Sequence, residues 1–146
     1  MTLMSNRRVV ITGLGAISNL GHDVESTWSG LKEGRSGIGP ITTFDQDDRW
    51  ITTIAGEVRD WDPSDKLDRG EIKKTDRFAQ LGLFAAIEAM DNCGLDWEQG
   101  DAYRRGVVLG SGVGGIQTIE HFAGILIEKG PRRLSPFTVP KLMVNA

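Results

Sequence analysis

A single cysteine, Cys93, stands in a chain of 146 residues. One cysteine excludes a disulfide framework and any CxxC metal site, and it fits a reducing compartment. A long apolar run at the start is also missing. Residues 1–8 are polar and basic, and Val9-Val10-Ile11 ends at Gly13, too short for a signal-peptide core or a membrane span. Charge of one sign is scarce: 17 basic against 20 acidic residues leave a net −3, with no overall attraction to nucleic acid or an anionic membrane. The 19 glycines sit singly at element ends instead of forming a low-complexity tract, and no repeat of fixed period occurs. What remains is one soluble globular domain over 1–146, with no second domain, expected in the cytoplasm.

The stretch Arg105-Gly106-Val107-Val108-Leu109-Gly110-Ser111-Gly112-Val113-Gly114-Gly115 organises that domain. Its continuous apolar run predicts a strand over 107–109 covered on both faces. Glycines at 110, 112, 114 and 115 let a ligand, a neighbouring helix or a partner chain approach the backbone. Ile116, Ile119, Ala123 and Leu126 then have helical spacing, which predicts a helix over 116–129 stopped by Gly130 and Pro131.

In chain order, 8–12 reads as another buried strand. Gly13-Leu14-Gly15-Ala16-Ile17-Ser18 looks like a dinucleotide fingerprint, but no helix opens at its glycines and 34–40 is a loop where a second strand is required. Asp23 caps a helix over 24–33, closed by Gly34. Residues 38–50 read as irregular, with Phe44 and Trp50 as anchors, and 51–58 as a strand pair or an extended arm. Residues 60–68 form a polar turn region around Pro63. The helix over 76–92 carries Phe78, Leu81, Leu83, Phe84, Ile87 and Met90, leaving a narrow polar stripe of Gln80, Glu88 and Asp91. A helix apolar nearly all round requires cover nearly all round, which makes it central, between two layers. Gly94 closes it. Residues 96–104 form a polar linker and 132–140 an extended stretch, and 141–146 is compatible with a new helix.

Several spaced motifs now coincide: Val10-Ile11-Thr12-Gly13-Leu14-Gly15, Trp28 with Leu31 and Gly34, Ser36-Gly37-Ile38, Lys74-Thr75-Asp76-Arg77-Phe78, the glycine turn at 110–115, and Gly130-Pro131 with Ser135-Pro136-Phe137 and Val139-Pro140. In this order and spacing they resemble β-ketoacyl-[acyl-carrier-protein] synthases, nearest the elongating synthase II type. The resemblance implies an α/β fold of the layered αβαβα thiolase-like class, of which 1–146 is part of the N-terminal half. It implies a homodimeric acyltransferase of fatty-acid elongation, with no cofactor beyond the carrier's phosphopantetheine arm. An acyl chain is accepted on a cysteine thiolate at a helix N-terminus. Two histidines then assist decarboxylation of malonyl-carrier protein for a Claisen condensation.

That family's cysteine and histidines match positions beyond Ala146, so no catalytic residue is expected here. Cys93 falls at a helix C-terminus, where the dipole disfavours a thiolate. His22 and His121 match neither family histidine. By resemblance, Val113 falls where the acyl pocket meets the dimer interface, although a turn-packing role suits it equally. Thr138 stands where the family often has an aromatic reaching the partner subunit. Lys73, Lys74, Arg132 and Arg133 match the basic patch that receives acyl carrier protein. Arg69 joins them, whereas Gly70 stands where lysine is common. Without a partner, the same residues read as solvated surface. A polyketide-type ketosynthase, a chain-length-factor-like partner and an inactive fragment are the alternatives.

Overall fold

The computed structural model describes residues 8–143. Five α-helices, three 3₁₀ turns and one two-stranded antiparallel ribbon are formed among them. Helix α1, Val24–Lys32, starts where the Asp23 carboxylate accepts from the Ser26 amide, and Glu25 and Lys32 complement its dipole. Gly34 follows at φ 67°, the left-handed turn that a side chain resists. Strand β1, Gly39–Pro40, pairs with β2, Ile54–Ala55, with Gly39 opposite Ala55. Helix α2, Arg69–Lys74, has a capping box in which Asp68 and Glu71 bond each other's backbone amides at 2.8 Å. Helix α3, Arg77–Asn92, is capped by Asp76. Helix α4, Ile116–Lys129, ends at Gly130 with φ 78°. Helix α5, Thr138–Leu142, completes the order.

The expected helices at 24–33, 76–92 and 116–129 are α1, α3 and α4. Helix α2 is an element for which the sequence pattern predicts nothing, and one expectation near α4 needs correction. The stretch 132–140 is not extended: a 3₁₀ turn at Pro131–Arg133 leads into α5. Pro140 is compatible with α5 because the first helical turn donates no intrahelical hydrogen bond. Residues 144–146 of the helix-compatible tail lie outside the described residues.

The strands expected at 8–12 and 107–109 are not formed either. A strand exists only when a neighbour completes its hydrogen-bond ladder, and among the described residues the only ladder joins β1 and β2. Val107 is 90% exposed and Val108 100%. Both stretches nevertheless lead onto α3. A Cβ at Gly13 or Gly15 would overlap the carbonyl oxygens of Ala89 and Ala85, and the Leu109 methyls lie 3.6 Å from where a Cβ would stand on Gly82. Residues 82, 85, 89 and 93 recur at helical spacing and form one small-residue stripe on α3. That stripe admits the 13–15 backbone and Leu109 against the helix.

Cover of α3 is partial. Ala79, Gln80 and Phe84 are buried, most other residues are half-buried and Met90 is exposed. The hydrophobic core among the described residues is Trp61, Leu67, Ala79 and Phe84. The Trp61 ring stands edge-on to Phe84 with centroids 5.5 Å apart, and the Arg77 guanidinium lies 4.9 Å above Trp61.

Two polar residues of α3 turn inward. Gln80 donates its amide to the carbonyl oxygens of Ile72 and Thr75, at the end of α2. Glu88 accepts from the Ala16 and Val24 amides, both at 2.9 Å, so a carboxylate meets the start of α1. Two members of the narrow polar stripe, Gln80 and Glu88, are therefore caps for neighbouring helices, while Asp91 is exposed.

Candidate functional site

The glycine turn is seated where α3, α4 and α5 meet. Asp76 caps α3 through the Phe78 amide at 3.3 Å, and its other carboxylate oxygen accepts from the Thr118 hydroxyl in the first turn of α4. Gly115 is buried beneath them. A Cβ there would stand 2.9 Å from Asp76 Oδ2 and 3.0 Å from the Lys141 carbonyl oxygen. Gly114 has φ 77°, and a Cβ on it would approach the Leu142 carbonyl oxygen at 2.7 Å. The Ser111 hydroxyl accepts from the Gly114 amide at 2.9 Å. These contacts leave Val113 projecting, 71% exposed. Thr138 is half-buried at the opposite end of α5, its hydroxyl donating to the Ser135 carbonyl at 2.7 Å.

Beside this junction lies an open cleft of about 400 Å³ between the α2–α3 corner and α4–α5, with Asp76, Gln80, Thr118, His121 and Lys141 in its wall. Lys73 and Lys74 close α2, and Arg132 and Arg133 form the 3₁₀ turn that packs on α4. All four are exposed. Ion pairs among the described residues are local ones, Arg35 with Glu33, Arg49 with Asp47 and Arg59 with Glu57, and they leave these four cations without an acidic partner. The structure thus brings Val113 into one junction with the far end of the helix that Thr138 begins. The basic residues occupy two separate elements.

Sequence reasoning missed Asp76 and Thr118. The visible clue was an aspartate before an apolar helical run, which reads as a cap and says nothing of a second partner. Cys93 is the C-cap of α3, with its thiol donating to the Met90 carbonyl at 3.0 Å. The His121 ring stacks edge-on against Phe122, 5.2 Å between centroids. His22 borders two further clefts of about 580 and 710 Å³ flanking the start of α1. Among the described residues no serine or cysteine is hydrogen-bonded to a histidine, so these groups form no nucleophile–base pair.

The chain is similar to known proteins over nearly its whole length. The curated 3-oxoacyl-[acyl-carrier-protein] synthase 2 of Vibrio harveyi is 46% identical over 142 residues, covering 97% of this chain and 34% of that protein. The Synechocystis protein of the same name is 42% identical over 145 residues, covering 99% and 35%. The solved ishigamide ketosynthase/chain length factor superposes with a TM-score of 0.81 at 32% identity, over 95% of this chain and 34% of its own. A beta-ketoacyl synthase from Burkholderia phymatum has a TM-score of 0.74 at 23% identity, over 92% and 33%, and shares the fold. The fold class is thus the layered, thiolase-like α/β one, and the chain spans about a third of the length of these relatives. A family model described as "Beta-ketoacyl synthase, N-terminal domain" matches residues 6–146, and this chain belongs to the β-ketoacyl synthase family.

Proposed function

We propose that the protein carrying this chain is a 3-oxoacyl-[acyl-carrier-protein] synthase of fatty-acid elongation. The carrying observation is identity of 42–46% across nearly the whole chain to curated synthase 2 proteins. In the reaction an acyl group moves from carrier protein to a cysteine sulfur. Loss of carbon dioxide from malonyl-carrier protein leaves a carbanion, which forms the new carbon–carbon bond as the carbon–sulfur bond breaks. The thiolate and two histidines belong to parts of the enzyme other than residues 1–146.

The chain's own residues position substrate. Val113 and Thr138 line the acyl pocket at a homodimer interface. Lys73, Lys74, Arg132 and Arg133 attract the acidic carrier, raising its on-rate and fixing its orientation. A type II polyketide acyl-carrier protein has been solved in complex with its own ketosynthase, a fold neighbour at 23% identity and a TM-score of 0.70, which supports a carrier as partner. The enzyme works in the cytoplasm, and no helix among the described residues is long and apolar enough to cross a membrane.

A polyketide-type ketosynthase or chain-length-factor-like partner is the second reading, favoured by the superposition on a ketosynthase/chain length factor. The deciding experiment supplies the intact protein with acyl- and malonyl-carrier protein and follows 3-oxoacyl-carrier protein by mass spectrometry. Extension of saturated acyl chains by two carbons is expected. Carrier binding without any condensation product would leave the non-catalytic partner, and extension of polyketide intermediates alone would leave the polyketide enzyme.

A further inference from the structure

Beyond the capping of α3, Asp76 and Thr118 have no role assigned so far, yet they tie the start of α3 to the first turn of α4, which follows the Val113 turn. The Thr118 hydroxyl reaches from the first turn of α4 to Asp76 Oδ2, while Asp76 Oδ1 caps α3. Gly115 sits between that carboxylate and the Lys141 carbonyl of α5, without room for a Cβ, and Gly114 faces the Leu142 carbonyl. The turn is therefore held from one side by a side-chain hydrogen bond and from the other by the end of α5. Val113 is the residue immediately before this seat, and Thr138 begins the helix that closes it.

We propose that Asp76 and Thr118 are positioning residues for acyl-chain selection, fixing the seat of the Val113 turn against α5. The proposal rests on the acyl-pocket role of Val113 set out above. Loss of the hydrogen bond leaves α3 capped and the glycines in place but frees the first turn of α4. Displacement at Val113 then changes which chain lengths fit, whereas a purely structural contact would lower all rates alike.

The test uses the intact protein and acyl-carrier substrates of short and long chain. Thr118→Val removes the hydroxyl at nearly constant shape, and Thr118→Ser restores it. Asp76→Ser keeps an N-cap but is too short to reach Thr118. Expected is a change of about threefold or more in the long-to-short ratio of kcat/KM for Thr118→Val, the scale of one net hydrogen bond. The change should fall chiefly on KM, with the wild-type ratio recovered in Thr118→Ser. Asp76→Ser should give the same change, and the double variant no more than either single one. Val113→Phe is the control for the pocket itself. A shifted ratio in Val113→Phe with an unchanged ratio in both Thr118→Val and Asp76→Ser overturns the proposal and leaves the pocket reading intact. Equal loss at all chain lengths also overturns it. An unchanged ratio in Val113→Phe removes the pocket reading, and the proposal with it.

Discussion

Glu57 shows how one side chain holds a loop. Its carboxylate accepts from the amides and hydroxyls of both Thr42 and Thr43, at 2.8–3.1 Å, and pairs with Arg59. The Thr42 amide above all, then the two hydroxyls and the Thr43 amide, hold its pKa down at about 2 from an ordinary 4.5, against the opposing effect of burial. Because the folded value is depressed, the stabilisation is complete above about pH 4.5 and is lost as pH falls towards 2. The Thr42 and Thr43 amide resonances should titrate with a midpoint near the lower value, and Glu57→Gln should abolish that titration. A midpoint at 4.5 would mean the carboxylate is not held. The basic residues make a second residue-scale prediction. Reversing Lys73 and Arg132 to glutamate in the intact protein should weaken carrier-protein binding about tenfold at low salt, and less as salt screens the surface. Unchanged affinity at low salt removes that docking site.

At the scale of elements, the caps were legible and the ladders were not. Asp23, Gly34, Gly94 and Gly130 act within one turn of where they stand, so local sequence together with the apolar spacing is enough to place α1, α3 and α4. The Asp68–Glu71 pair that opens α2 was equally local and was overlooked, because no long apolar run follows it. Residues 8–12 and 107–109 have strand chemistry, but a strand depends on a remote partner that local pattern does not reveal. Gln80 and Glu88 looked like a solvent stripe because sequence shows spacing and not the backbone groups opposite. The proposed roles of Val113, Thr138 and the four basic residues come from resemblance alone, while the Asp76–Thr118 hydrogen bond spans 42 positions and leaves no local trace. The close approach to α3 yields a sharp test. Gly15→Ala should destabilise the chain by about 3 kcal/mol through overlap with the Ala85 carbonyl. Gly124→Ala, in α4 with open space around it, should stabilise by about 0.5–1 kcal/mol on propensity alone. Equal denaturant midpoints for the two variants would contradict the packing of 13–15 on α3.

Taken whole, the chain exposes 11913 Å², against about 7,400 Å² for a compact monomer of this size. Large apolar residues contribute to the excess, Val9, Ile11, Val107, Val108 and Ile127 among them, all exposed. Apolar area on that scale drives association, so residues 1–146 alone should sediment as oligomers and bind an apolar dye. A monodisperse, dye-silent monomer would contradict the exposed faces described here. The central claim, on the function proposed above, is that residues 8–12 and 107–109 become strands over α3 only when other segments of an intact ketosynthase complete their ladders. Amide hydrogen exchange at residues 9–11 and 107–109 tests it most directly, read in the isolated chain and in the intact protein. These amides should exchange rapidly in the first and be strongly protected in the second. Equal exchange in both, whether fast or slow, would contradict it.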